Sequence, residues 1–141
     1  MSLDRILNLL SNVGLKKTAL RSELLKLLVD STVPKSQVEI IQTLSKQGKS
    51  IDRVSVYRNL KQLKEKGLVH EVDVNQYIFC EHDCDQHAHL LLFCIQCQKH
   101  EEIRDHKKIN AFMKSLKELS FFSSQSPISL RGICLSCQSK I

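Results

Sequence analysis

Two Cys-x-x-Cys pairs constrain this chain more than any other feature. Cys94 and Cys97 form the first pair and Cys134 and Cys137 the second, with 36 residues between them. Two such knuckles present four thiolates, a ligand number and softness that suit a closed, tetrahedral zinc site with one zinc per chain. Any fold of this chain must therefore leave the first knuckle and return to it at the second. Disulfides are the competing reading of paired cysteines, and the cellular compartment decides between them. Met1 to Leu10 carries Asp4 and Arg5 among leucines and has no small-residue cleavage site. It reads as an amphipathic helix and not as a signal peptide. No apolar run approaches the roughly 20 residues of a membrane span. The expectation is a cytoplasmic protein with no membrane partner, whose thiols stay reduced and bind metal.

The 141 residues are enough for one domain or two small ones. The charge is uneven. Residues 1–78 hold 13 Lys/Arg against 8 Asp/Glu, whereas residues 79–141 hold 8 against 7. Every cysteine and five of the six histidines lie beyond residue 78. A basic half without cysteine thus joins a near-neutral half rich in Cys and His. Surface lysines alone give a positive field and do not identify a partner.

Hydrophobic spacing divides the chain the same way. Leu3, Ile6, Leu7 and Leu10 recur at helical spacing, and Gly14 ends the pattern. Thr18 caps a second helix bearing Leu20, Leu24, Leu25, Leu27 and Leu28. Ser36 and Glu39 form a capping box for a third helix with Val38, Ile41 and Leu44, which Gly48 stops. A fourth runs from near Asp52 to a Gly67 cap on a seam of Val56, Leu60 and Leu63. The period then becomes two, and 68–72 and 76–79 read as a hairpin turning at Asp73 to Asn75. Helices followed by a hairpin predict a winged helix-turn-helix. Beyond a polar stretch the pattern reads strand (89–93), knuckle, strand (99–103), helix (107–119) and strand (128–133). The fold class is α+β. The expected division is an N-terminal winged-helix domain over residues 1–79, a hinge over 80–88, and a zinc-stabilised C-terminal α/β domain over 89–141.

With its seam buried, the fourth helix offers Ser55, Tyr57, Arg58, Lys61 and Lys64 on the opposite face. Tyr57 can pack on a thymine methyl, Arg58 can reach a guanine edge or a phosphate, and the lysines suit phosphates. A charged solvent face is the plainer account of the same residues. The stretch Val54-Ser55-Val56-Tyr57-Arg58-Asn59-Leu60, continued by Leu63 and Gly67-Leu68-Val69, resembles the recognition helix of the ferric uptake regulator family. Gly14-Leu15-Lys16-Lys17-Thr18 and Arg21 resemble the start of that family's DNA-binding domain. The resemblance spans nearly the whole chain. It implies a homodimeric transcription regulator of double-stranded operator DNA, with 1–79 as its winged-helix DNA-binding domain and 89–141 as its α/β dimerisation domain, Tyr57 and Arg58 in the major groove and Lys16 reaching toward a minor groove. The four cysteines match the structural zinc site of many members.

A second, open site draws on His70, Cys80, His87, His89 and Glu102. His70 falls on the first wing strand and Cys80 after the second. His87 and His89 precede the first knuckle, and Glu102 ends the strand after it, so these positions would meet at the hinge. Iron-sensing members carry a histidine near the start of the third helix, where this chain has Val33 and Pro34, and Phe-Glu where it has Phe79-Cys80. A cysteine with a wing histidine resembles the sensory site of the zinc uptake regulator branch. His87 matches that branch, while His89 matches a ligand position of the iron and peroxide branches, so the two compete for one place. A mixed Cys/His/Glu set favours zinc over iron(II). A packing role for Cys80 as a small buried residue is the other reading.

His82, His100 and His106 read as surface residues, Cys84 matches no family position, and Ser126 stands where some members place a further metal-binding histidine. The expectation is a zinc-responsive repressor of metal uptake genes carrying a structural and a regulatory zinc. An iron-, manganese- or peroxide-sensing regulator of the same fold is one alternative. A structural-zinc dimer without a sensory metal, binding protein or DNA, is the other. No Ser/His/Asp order, paired acids or phosphate loop points to an enzyme.

Overall fold

A computed structural model describes residues 1–80, 90–103, 105–122 and 128–140. The chain divides into two compact units, Met1–Asp83 and Cys84–Ile141.

The first unit begins with α1 (Leu3–Asn12) and α2 (Ala19–Val29). After β1 (Lys35–Ser36) come α3 (Gln37–Lys46), α4 (Arg53–Glu65) and the wing strands β2 (Val69–Asp73) and β3 (Gln76–Phe79). Local chemistry starts and stops these helices. Thr18 accepts from the backbone N–H of Arg21 at the head of α2. Ser36 and Glu39 close their capping box, Glu39 N–H donating to Ser36 Oγ (3.2 Å) and Ser36 N–H to Glu39 Oε2 (2.7 Å). That acceptor role holds the Glu39 carboxyl below its ordinary pKa. Ser36→Ala should cost about 1 kcal/mol, read as a lower urea midpoint of the first unit.

At the far end of α4, Gly67 takes φ 71°, a left-handed conformation suited to glycine. Leu68 N–H then reaches back to the Leu63 carbonyl and Gly67 N–H to that of Lys64, at 2.9 and 3.0 Å. This is a Schellman stop, with buried Leu63 and Leu68 forming its apolar pair. It delivers the chain directly into β2.

The core of this unit takes Ile6 and Leu10 from α1, Leu24, Leu25 and Leu28 from α2, and Val56, Leu60 and Leu63 from α4. The α3 face differs from expectation. Ile40 and Leu44 are buried, Ile41 is only partly so, and Val38 is 52% exposed. The helix is rotated by about one residue from the face its apolar spacing favours, because packing against α2 and α4 sets the rotation. β1 was not expected, since two residues carry no period. It pairs antiparallel with β3, giving the sheet order β1-β3-β2. The wing register carries a bulge between Glu71 and Asp73, and Asn75 turns at φ 57°.

The second unit contains β4 (Leu90–Cys94), β5 (His100–Ile103), α5 (His106–Glu118), β6 (Ile128–Gly132) and α6 (Leu135–Gln138). β4 is the middle strand, antiparallel to β5 and parallel to β6. A parallel pairing needs a crossover, which the segment containing α5 provides. The helix expected over 107–119 is shifted by one residue. Its expected apolar face is only partly used, for Ile109 is buried while Leu119 is 77% exposed. α6 is one helical turn and was not expected. Among the described residues no helix is long and apolar enough to cross a membrane.

Candidate metal centre and nucleic-acid interface

The second unit assembles all four knuckle cysteines. Cys94 closes β4. The turn after it is held by Gln98 N–H on the Cys94 carbonyl (2.9 Å), with Gln98 at φ 61°. Ile95 N–H donates to the Gly132 carbonyl at 2.9 Å, which ties this knuckle to the end of β6. Cys134 then caps α6, and Cys137 lies within that helix. The four Sγ atoms all lie within 4.8 Å of one another. Cys97 and Cys134 sulfurs are 3.8 Å apart. Four sulfurs about 2.3 Å from one zinc stand about 3.8 Å apart along a tetrahedral edge, so the spacing fits zinc. It is far too long for a disulfide, and these cysteines are free thiols.

The electrostatics fit a cation as well. The backbone N–H groups of Cys134, Cys97 and Gln96 face Cys94 Sγ and hold its thiol down to about 6. Hydrogen bonding to Cys134, burial and the sulfurs of Cys97 and Cys94 push Cys137 up to about 12. Without a central cation the cluster resists ionising a further thiol. A divalent ion removes that penalty and releases protons as it binds.

The first unit presents α4. Tyr57 is 52% exposed and Val54 58%, with Arg58 and Lys61 also exposed, so the expected outer face is open. Two expected members of that face are occupied otherwise. Ser55 is half-buried and donates its hydroxyl to Asp52 Oδ2 at 2.9 Å, serving the helix cap. Lys64 pairs with Glu71 on the wing at 2.6 Å, and this contact holds the Glu71 carboxyl below its ordinary pKa. The pair joins α4 to β2, a link that sequence spacing does not reveal. Lys16 is exposed in the loop between α1 and α2. Its carbonyl accepts from Arg21 Nη1 at 2.9 Å, and Arg21 Nη2 donates to Gln62 Oε1 on α4. Gln62 is a residue the sequence pattern leaves unremarked.

The second-site residues divide among the parts of the chain. His70 on β2 pairs with Ile78 on β3, and Cys80 N–H donates to the Leu68 carbonyl at 2.9 Å, extending the same ladder. Period-two alternation then puts His70 and Cys80 diagonally on one face of the wing. Both are buried, at 6% and 2% exposure. Glu102 sits on β5 opposite Leu91 and is half-buried. His87 and His89, together with His82, Cys84 and Ser126, lie outside the described residues. His100 corrects an expectation. Alternation puts it on the Leu91 and Phe93 face of the sheet, so it is half-buried, with burial lowering its pKa against the opposing charge of Glu102. Its buried Nδ1 has no hydrogen-bond partner among the described residues. His106 is exposed, as expected.

Residues 12–128 match the model of the ferric uptake regulator family. The chain is 26% identical over 132 residues to the peroxide-responsive repressor PerR of Staphylococcus aureus (strain Mu50 / ATCC 700699), covering 93% of this chain and 88% of that protein. The crystal structure of holo XcZur is similar at a TM-score of 0.78 and 25% identity, covering 97% of this chain and 96% of that one. A zinc uptake regulator complexed with zinc and DNA shares the fold at a TM-score of 0.79 and 22% identity, with coverage of 98% and 93%.

Proposed function

The chain belongs to the ferric uptake regulator family, and on that premise we propose that it is a zinc-responsive transcription repressor that binds the operators of metal uptake genes as a homodimer. One observation carries the choice of zinc: a buried thiol and a buried imidazole, Cys80 and His70, share one face of the wing. A thiolate is a soft donor, and a site containing one favours zinc over iron(II) or manganese(II). Glu102 and either His87 or His89, which compete for one place, complete the proposed set, as a regulatory site separate from the four cysteines of the knuckles. Bound zinc supplies a rigid link among ligands drawn from separate segments of the chain.

The residues of the chain do the rest. Tyr57 and Arg58 read base edges in the major groove, and Lys61 and Lys16 contact the backbone and the minor groove. The two recognition helices of a dimer meet successive major grooves of a pseudo-palindromic operator only at one separation. Second-site ligands that hold that separation raise DNA affinity. By linkage DNA raises zinc affinity equally, by typically about 1–3 kcal/mol. A complete switch from an open to a closed population requires about 5.5 kcal/mol of differential binding.

A homodimer accounts for apolar surface that one chain leaves open. Leu119, Phe121 and Phe122 are 77%, 60% and 75% exposed, and Leu130 on β6 is 46% exposed. Surface of this kind in a regulator of two-fold operators calls for a second copy.

Elemental analysis should find two zinc ions per chain, and affinity for a duplex selected from a random pool should rise with free zinc. Unchanged affinity across the titration would leave a structural-zinc protein with no sensory metal. Similarity to the peroxide-responsive repressor favours one second reading. In that case iron(II) would replace zinc as the activating ion, and peroxide would abolish DNA binding. Arg58→Ala should weaken binding to the selected duplex by roughly 1–3 kcal/mol with zinc content unchanged. An equal loss on random DNA would make Arg58 a phosphate contact and remove its base-reading role.

A further inference from the structure

Arg21 stands in the first turn of α2 and is half-buried. A guanidinium offers five donors in one rigid plane. Here its two outer nitrogens point in different directions, Nη1 to the Lys16 carbonyl at 2.9 Å and Nη2 to Gln62 Oε1. Its Nε is buried and has no partner among the described residues. The two outer bonds hold this group in place and offset the cost of its unmet buried Nε–H.

Each end of the bridge leads to a residue that faces DNA in the reading above, on which this inference rests. At the first end the Lys16 carbonyl accepts twice, since Thr18 N–H also donates to it at 3.0 Å. Leu15 N–H is held on the Leu10 carbonyl at 2.9 Å. The backbone around Lys16 is thereby fixed, while its side chain is exposed. At the other end Gln62 is four residues past Arg58, one turn along the same helical face. We propose that Arg21 is a positioning residue that ties the reach of Lys16 to the register of the recognition helix, so that the two contact one duplex as a preset pair. A loop ordered before DNA arrives loses less freedom on binding.

The test is a double-mutant cycle on the full-length, zinc-loaded protein, using a fluorescent duplex enriched from a random pool by the wild-type chain. Arg21→Lys keeps the charge but not the two-armed plane. In the wild-type background Lys16→Ala should weaken binding about tenfold and lower the salt slope by about one. In the Arg21→Lys background the same change should cost less than about twofold and leave the slope unmoved, because the contact is already lost. Gln62→Leu cuts the other arm without touching α2 and should also abolish the Lys16 effect. Gln62→Glu keeps an acceptor and should preserve it. A full tenfold loss from Lys16→Ala in the Arg21→Lys and Gln62→Leu backgrounds would overturn the proposal, leaving Arg21 a structural cross-link. Should Lys16→Ala cost nothing in the wild type while Arg58→Ala still weakens binding, the positioning role falls and the DNA-binding reading stands. If the wild-type chain enriches no duplex, the DNA-binding reading falls and takes this one with it.

Discussion

Cys94→Ser or Cys134→Ser should release one zinc per chain and unfold the second unit, with loss of the dimer. The expected effect is large because this unit has little else to hold it. Among the described residues its buried apolar side chains are Leu91, Ile109 and the two knuckle cysteines Cys94 and Cys137. Burying a Leu or Ile contributes about 1.5–3 kcal/mol, while structural zinc in small domains contributes about 10–16 kcal/mol at neutral pH. The metal term therefore dominates. The first unit, with its own core of leucines, should keep its helical circular dichroism and a separate unfolding transition. A stable, zinc-free dimer after either change would refute the structural assignment.

Cys80→Ser should act differently. The four-cysteine cluster is untouched, so one zinc per chain and the dimer should remain. The second zinc should be lost, since a serine hydroxyl stays protonated near neutral pH and is a poor ligand. Removing an outer partner of a metal ligand typically costs about 10–100-fold in metal affinity, and removing the ligand itself should cost more. Half-saturation of DNA binding should then move upward by more than a hundredfold in free zinc, with the α4 face intact. Cys80→Glu should shift preference toward harder metals. The readout is affinity for the selected duplex against free zinc, with metal counted per chain. An unchanged zinc response in Cys80→Ser would make Cys80 a packing residue and leave the regulatory site to His70, His87, His89 and Glu102.

What the sequence made legible follows the range of the forces involved. The seam Val56, Leu60 and Leu63, the Ser36–Glu39 capping box and the Gly67 stop are set by residues within one or two turns of each other, and all three are present. The rotation of α3 was not legible, because Val38 and Ile41 compete with Ile40 for the core and only the facing helices choose. β1 and α6 are too short to show a period. The Lys64–Glu71 pair crosses from α4 past the Gly67 stop to β2, and the Arg21–Gln62 bond joins residues 41 apart in sequence, so neither follows from spacing within one element. The four cysteines were readable because thiolate number and knuckle spacing specify a metal site without reference to the fold. The proposed regulatory set is legible only as donor types, because no local pattern ties His70 and Cys80 on the wing to Glu102 on β5.

The position of β4 in the middle of its sheet sets a timetable for synthesis. Unit one is complete when residue 83 has been made, and it can fold while the ribosome is still working. β4 emerges soon afterwards but must wait, because its parallel neighbour β6 begins at Ile128 and the second pair of sulfurs arrives only with Cys134 and Cys137. Until then Leu91 and Cys94 belong to a strand with only β5 beside it and half a ligand set. The four-sulfur site can therefore form only after the first unit is complete, and until then a nascent chain is a finished first unit trailing an unfinished clasp.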